Sequence, residues 1–156
     1  MDNAALKGIR IVEFASMVSG PYCGKLLADL GADVIKAEPP EGDPARKMGP
    51  FPDDIPHPEK SGLFLYNNTN KRGITIDLCS PDDIDTFKRL IQWADALIDN
   101  HPPQVLEGVG LDWETLHKLN PSLIYTCITP YGRTGPRAGV KGDELTLFHA
   151  LHINHN

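Results

Sequence analysis

Ser16-Met17-Val18-Ser19-Gly20-Pro21 follows directly on a short apolar run, 9–15, and precedes a stretch with helical spacing. A strand-to-helix turn of this kind brings backbone amides to the end of a strand, where they can meet a polar or anionic ligand. Gly20 permits an unusual backbone angle there and Pro21 suits the first helical position, so the helix is expected to start at Pro21. The turn is not a dinucleotide fingerprint. Gly20 and Gly24 do not make G-x-G-x-x-G, and Pro21 removes an amide that such a turn would use. Glu38, at the end of the next strand, is then the only other support for nicotinamide-dinucleotide chemistry. Asn100, before His101-Pro102-Pro103, offers a side-chain amide either to a ligand or to the turn itself. Lys71-Arg72 is a pair of cations for an anionic ligand or a solvated turn before a strand. Asp77 and Asp99, near strand ends, read as solvated or capping acids, and Asp143 reads as a helix N-cap. The three cysteines, Cys23, Cys79 and Cys127, have no C-x-x-C spacing, which argues against a disulfide framework or a zinc site. Cys23 and Cys127 are expected as buried small hydrophobes, while Cys79 follows a strand's carboxyl end. His149, His152 and His155 recur every third residue without a ligand cluster before them, so a frayed end is expected rather than a metal site.

These residues need elements to hold them. Strands are expected at 9–15, 33–38, 73–78, 96–99 and 122–129, and helices at 21–30, 81–94, 104–108 and 112–119. Tyr22, Cys23, Leu26, Leu27 and Leu30 form the apolar face of the first helix, which Gly31 ends. Ser80, Pro81, Asp82 and Asp83 make a helix start, and Ile84, Phe87, Leu90, Ile91 and Ala94 give that helix one apolar face. Residues 39–60, rich in Pro, Gly and Asp, make a long surface excursion of the kind that is often functional. Strands alternating with helices specify an α/β fold: a Rossmann-like, mainly parallel sheet with helices on both faces. The 156 residues, 40% hydrophobic, suit one domain over 1–150 with an atypical tail at 151–156. A formal charge of -6 argues against nucleic acid or an anionic membrane as partner. No apolar run reaches membrane-spanning length and no signal core follows Met1, so a cytoplasmic protein is expected.

Four segments occur together in this order: 28–36 (ADLGADVIK), 38–46 (EPPEGDPAR), 70–78 (NKRGITIDL) and 131–136 (YGRTGP). In combination they resemble the class III CoA-transferase family, of the CaiB/BaiF type, from Leu6 to about Ala150. The resemblance implies an enzyme that moves CoA between carboxylic acids, with acyl-CoA and a small carboxylic acid as substrates, no metal, and an interlocked homodimer. In that family an aspartate attacks the acyl-CoA thioester to give a mixed anhydride, CoA thiolate attacks the anhydride, and the acceptor acid completes the exchange. The nucleophile is expected in a Gly-rich segment beyond Asn156, so no catalytic residue is assigned and the chain is expected to be the N-terminal, CoA-binding portion of a longer enzyme. Alternatives are an acyl-CoA racemase of the same family, whose histidine would fall at Asp143, and a non-catalytic binding or interaction remnant. By resemblance the CoA-binding residues are Met17, Val18 and Ser19, through their backbone, with Asn100 and the neighbouring His101, and Ile76 packed against adenine. Pro39, Gly108 and Thr129 stand where a family member has basic side chains. Lys71 and Arg72, with Lys36, Arg46, Arg133 and Arg137, are the cations available for phosphate.

Overall fold

The structure, a computed structural model, describes residues 4–142 and 144–150. Five strands form one parallel sheet in the order β3-β2-β1-β4-β5: β1 (Arg10–Phe14), β2 (Asp33–Glu38), β3 (Arg72–Thr75), β4 (Ala96–Asp99) and β5 (Ile124–Cys127). Register places Arg10 beside Asp33 and Ile11 beside Ala96. The chain steps outward from β1 to β3, then returns across β1 to β4. The carboxyl ends of β1 and β4 therefore form the switch point at which parallel sheets bind ligands.

The central strand β1 is buried on both faces from Ile11 to Phe14. Val12 and Phe14 pack with Phe87, Ile91, Leu97 and Leu116 on one side. Ile11 packs with Ala28, Val34 and Ile98 on the other. The first layer is made by α3 (Pro81–Trp93) and α5 (Trp113–Leu119), and the second by α1 (Ser19–Asp29). The Ser80 hydroxyl accepts from the Asp83 amide at 3.4 Å to start α3, and Asp112 accepts from the Thr115 amide at 2.8 Å to start α5. Asn120 ends this layer by donating to the carbonyls of Ile91 and Ala94 at 2.9 and 2.7 Å. The remaining helices are α2 (Gly62–Asn67), α4 (Gln104–Glu107) and α6 (Glu144–Ala150). The excursion at 39–60 carries two single-turn 3-10 segments, Pro44–Lys47 and Pro52–Asp54.

The first helix departs from the sequence reading in three ways. It begins at Ser19, which places Pro21 third rather than first. Gly20 is required for space, since a Cβ there would stand 2.3 Å from that of Ala15; the positive φ of the turn, 66°, belongs to Met17. Its buried residues are Gly20, Pro21, Gly24 and Ala28, whereas Tyr22, Leu26 and Leu30 are exposed. The helix sits close on the sheet through small residues, with Cys23 and Leu27 packed against the core beside them, while Tyr22, Leu26 and Leu30 face outward. β3 and β5 are also shorter than expected, although the Ile76 amide continues the ladder to the Glu38 carbonyl at 2.8 Å. α2 was not anticipated; its signal is Ser61, whose hydroxyl accepts from the Phe64 amide at 3.1 Å.

Candidate functional site

At the switch point, Asn100 follows β4 and reaches across to the β1–α1 loop. Its Oδ1 accepts from the Ser16 amide at 2.8 Å, while its Nδ2 donates to the Ser16 carbonyl at 2.8 Å and to the Ser19 hydroxyl at 3.0 Å. The next residue is held from the opposite side. The Met17 amide donates to Asp43 Oδ1 at 3.0 Å, which secures a left-handed backbone that costs a non-glycine residue energy. Ser16 and Met17 are thereby pinned between β4 and the 39–60 excursion. Val18, immediately before α1, is exposed and the helix has no side-chain cap. Pro21 has no amide and Gly20 is buried, so the Ser19 amide is the exposed one in this first turn.

The floor beneath this loop is a buried charge cluster. Glu13, fully buried in the middle of β1, lies 3.1 Å from Lys36 Nζ and 2.6 Å from Lys71 Nζ. Lys36 also lies 2.9 Å from Asp43 Oδ2 and donates to the Ala15 carbonyl at 2.7 Å. Lys71 donates to the Pro21 carbonyl at 2.7 Å. Glu13 Oε2 and Asp43 Oδ2 lack a well-angled hydrogen bond, and both are compensated as ion pairs by these lysines. Two carboxylates and two ammonium groups balance, which is what allows four charges below the surface. Burial pushes the Asp43 carboxyl upward, but Lys36 and the amides of Met17 and Ala45 outweigh it and hold it below the usual range. Burial pulls the Lys71 ammonium down further than Glu13 raises it. Gly24 completes the arrangement: a Cβ there would stand 1.9 Å from Glu13 Oε2.

Two hollows open at this edge. One of about 580 Å³ lies between residues 100–104 and 129–142; the other, of about 320 Å³, lies over Ser16, Ala37 and Asp43. His101 borders both. Its ring packs on Phe14 with centroids 4.4 Å apart, and its Nδ1 stands 3.2 Å from Asp99 Oδ1.

The structure brings Met17, Val18, Ser19, Asn100 and His101 together at one edge. It places the other candidates elsewhere. Lys71, expected as a free or solvated cation, has its side chain 2% exposed and paired to Glu13; Lys36 is likewise internal. A carboxylate in the central strand demands cations, and these two satisfy it. Ile76 is 1% exposed within the core and has no free face for a base. Arg72 is exposed and chelates Asp33 through both oxygens. Arg46 is taken up by Glu38 at 2.7 Å and by Glu59 at 2.8 Å, and Arg133 by Glu107 at 2.8 Å. Arg137 is exposed. Asp99, expected to be solvated or capping, is buried rather than solvated; it caps the turn by accepting from the His101 amide at 2.8 Å and also accepts from the Tyr125 hydroxyl at 2.7 Å. Asp77 does cap, accepting from the Cys79 amide at 2.8 Å. Cys23 and Cys127 are half-buried rather than buried, and Cys79 is exposed. Burial first, then Glu13 near Cys23 and Asp99 near Cys127, pushes both thiols upward, so neither is an activated nucleophile. Asp143, His152 and His155 lie outside the described residues. Among the described residues no group of three or more His, Cys, Asp or Glu is placed to hold a metal ion, and no helix is long and apolar enough to cross a membrane. Sequence reasoning missed Glu13 and Asp43. A charged residue inside an apolar five-residue strand was the available signal for Glu13.

The profile of CoA-transferase family III matches residues 6–150. The succinate–glutarate CoA-transferase of Agrobacterium fabrum is 44% identical over 145 residues, covering 91% of this chain and 36% of the relative. The succinyl-CoA:(R)-benzylsuccinate CoA-transferase subunit BbsE of Thauera aromatica is 42% identical, covering 88% of this chain and 33% of its own length. The chain thus spans about a third of the length of these relatives. The crystal structure of a CAIB/BAIF family protein from Brucella suis superposes with a TM-score of 0.86 at 38% identity, covering 95% of this chain and 39% of that one. The strand order, the pinned switch-point loop and these matches agree: the chain belongs to CoA-transferase family III.

Proposed function

We propose that this chain is the CoA-binding segment of an enzyme that transfers CoA between small carboxylic acids. The observation that carries the reading is the β1–α1 loop. Ser16 is fixed by Asn100 and Met17 by Asp43, which leaves the backbone at Val18 and Ser19 presented in front of an uncapped helix. Such a preorganised backbone suits a large polar ligand. The paired lysines are not the phosphate site in this reading. Arg137, which is exposed, and the first-turn amide of Ser19 are the groups left for it. The names of several relatives join succinyl-CoA or succinate to a second acid such as glutarate, citramalate or malate. That pattern supports a succinyl-type donor and a small di- or hydroxy-acid acceptor.

In the proposed reaction a carboxylate attacks the thioester carbonyl, the C–S bond breaks, and CoA leaves as thiolate. The thiolate then attacks the enzyme carbonyl of the resulting anhydride, which releases the donor acid and leaves an enzyme–CoA thioester. The acceptor carboxylate displaces the thiolate from that thioester, and the thiolate cleaves the second anhydride at the acceptor carbonyl to give the new acyl-CoA and the free enzyme carboxylate, with no net redox change. The carboxylates at the strand ends are unsuited to begin it. Glu38 is bound by Arg46, Asp43 by Lys36 and two amides, and Asp99 by Tyr125 and His101. The segment therefore binds CoA and leaves the nucleophile to another part of the assembly. The exposed stripe Tyr22, Leu26 and Leu30 on α1, beside Leu65 and Tyr66 on α2, supports the interlocked homodimer as part of the same reading. Incubating the purified chain with succinyl-CoA and glutarate tests the division of labour. No glutaryl-CoA is expected, and robust exchange by protein free of host transferase would contradict it.

A further inference from the structure

The guanidinium of Arg46 is engaged on three sides within the excursion. Its Nε and Nη2 donate to the two oxygens of Glu38 at 2.7 and 2.9 Å, and Nη1 donates to Glu59 at 2.8 Å and to the Pro58 carbonyl at 3.4 Å. One face lies over Phe64 of α2, with the guanidinium carbon 3.6 Å from the ring centre. The stem packs into the turn that precedes it. A Cβ on Gly42, whose φ is 76°, would stand 3.0 Å from Arg46 Cδ. A planar fork held along two edges and one face has a fixed orientation, and so has the carboxylate it grips.

Glu38 carries that orientation inward. Its Oε2, bound by Arg46, also accepts from the Asp43 amide at 2.9 Å. Asp43 is 1% exposed, and its Oδ1 accepts from the amides of Ala45 and Met17 at 2.8 and 3.0 Å. Arg46, Glu38, Asp43 and Met17 thus form one continuous path from the outside of the excursion to the β1–α1 loop. Its last member is the strained one. Left-handed backbone is disfavoured for a residue with a Cβ, and the Met17 amide is secured by Asp43 alone. From this path we infer that Arg46 is a positioning residue for the β1–α1 loop: by closing the excursion on Glu38 it places Asp43, and through Asp43 it holds the backbone of Met17. Its consequence for ligand binding rests on the CoA reading above, whereas the path is independent of it. Glu59 adds little, because its side chain is 71% exposed and its pairing with Arg46 is screened by solvent.

Arg46→Gln removes the charge and the fork, and Arg46→Lys keeps a point charge that cannot span both oxygens of Glu38. Amide hydrogen exchange of the ligand-free chain, followed residue by residue by NMR, reads the path without any ligand. In Arg46→Gln the Met17 and Ala45 amides should exchange about tenfold faster, while those of Val12 and Leu97 in the central strands stay within about twofold of the wild type. Arg46→Lys should fall between Arg46→Gln and the wild type, and Glu59→Gln should change none of these amides by more than about threefold. Calorimetric titration of the same folded variants with CoA should show affinity falling in the same order, by about tenfold for Arg46→Gln. Unchanged exchange at Met17 in folded Arg46→Gln would overturn the inference, and a loss of CoA affinity in that case would make Arg46 a direct ligand contact. Equal acceleration at Met17, Val12 and Leu97 would make it a residue of global stability and overturn the inference as well. Faster exchange at Met17 with unchanged CoA affinity would deny it a positioning role. No CoA binding by the folded wild type would overturn the CoA reading, while the exchange rates still decide whether Arg46 holds Met17.

Discussion

Asn100, just after β4, makes three hydrogen bonds to Ser16 and Ser19. Asn100→Ala should lower stability by about 1–2 kcal/mol in urea titration, because the Ser16 groups can recover water. It should lower CoA affinity by a larger factor, about tenfold or more, because the loop loses its fixed shape. An unchanged affinity would remove Asn100 from the site. Lys36 is a different case, since its loss strands the buried Asp43 and leaves Glu13 with Lys71 alone. Lys36→Met should cost about 3–5 kcal/mol, and a urea midpoint within error of the wild type would refute the charge balance described for the cluster. The sequence made Asn100 visible, because an amide between a strand and a Pro-Pro turn has few other uses. It hid the commitments of Lys36 and Lys71. A lysine next to an arginine reads as surface, and only the register of β1, β2 and β3 shows that two ammonium groups converge on one glutamate.

Among the elements, α1 has the most specific requirement. Gly24 lies against Glu13, with no room for a methyl group beside the carboxylate. Gly24→Ala normally favours a helix by about 1 kcal/mol; here a net loss of about 2–4 kcal/mol is expected as the helix lifts from the sheet or the ion pair opens. A stabilised variant in thermal melts would show that the contact is not as close as described. The order and type of most elements were legible, since β1, β2, β4, α3 and α5 carry apolar runs and caps such as Ser80 and Asp112. The buried face of α1 was not. Hydrophobic spacing assigns Tyr22, Leu26 and Leu30 inward, yet the close approach demanded by Glu13 turns Gly20, Gly24 and Ala28 inward instead. α2 escaped because six residues give too little periodicity to read.

For the whole molecule, the carboxylates that tie the excursion to the sheet set an acid limit. Burial opposes ionisation of Glu38 and Asp43, but Arg46 with the Asp43 amide at Glu38, and Lys36 with the Met17 and Ala45 amides at Asp43, hold both carboxyls below their ordinary range. The folded chain then binds fewer protons than the unfolded chain, so this stabilisation is fully present above the unfolded carboxylate range. It is lost as pH falls below about 4 and through the depressed folded values. Urea midpoints measured from pH 7 down to about 3 should fall steeply at the acid end, and a flat profile would contradict these pairings. The family and the sheet were readable from four sequence segments, while the division between a CoA site and an internal charge cluster emerged only when the strands were aligned. Calorimetric titration of the purified chain with CoA and with NAD, after gel filtration has shown it free of aggregates, tests the central claim most directly. The account predicts saturable CoA binding, no NAD binding, and loss of the CoA signal in folded Asn100→Ala; folded protein that binds neither ligand, or NAD alone, would contradict it.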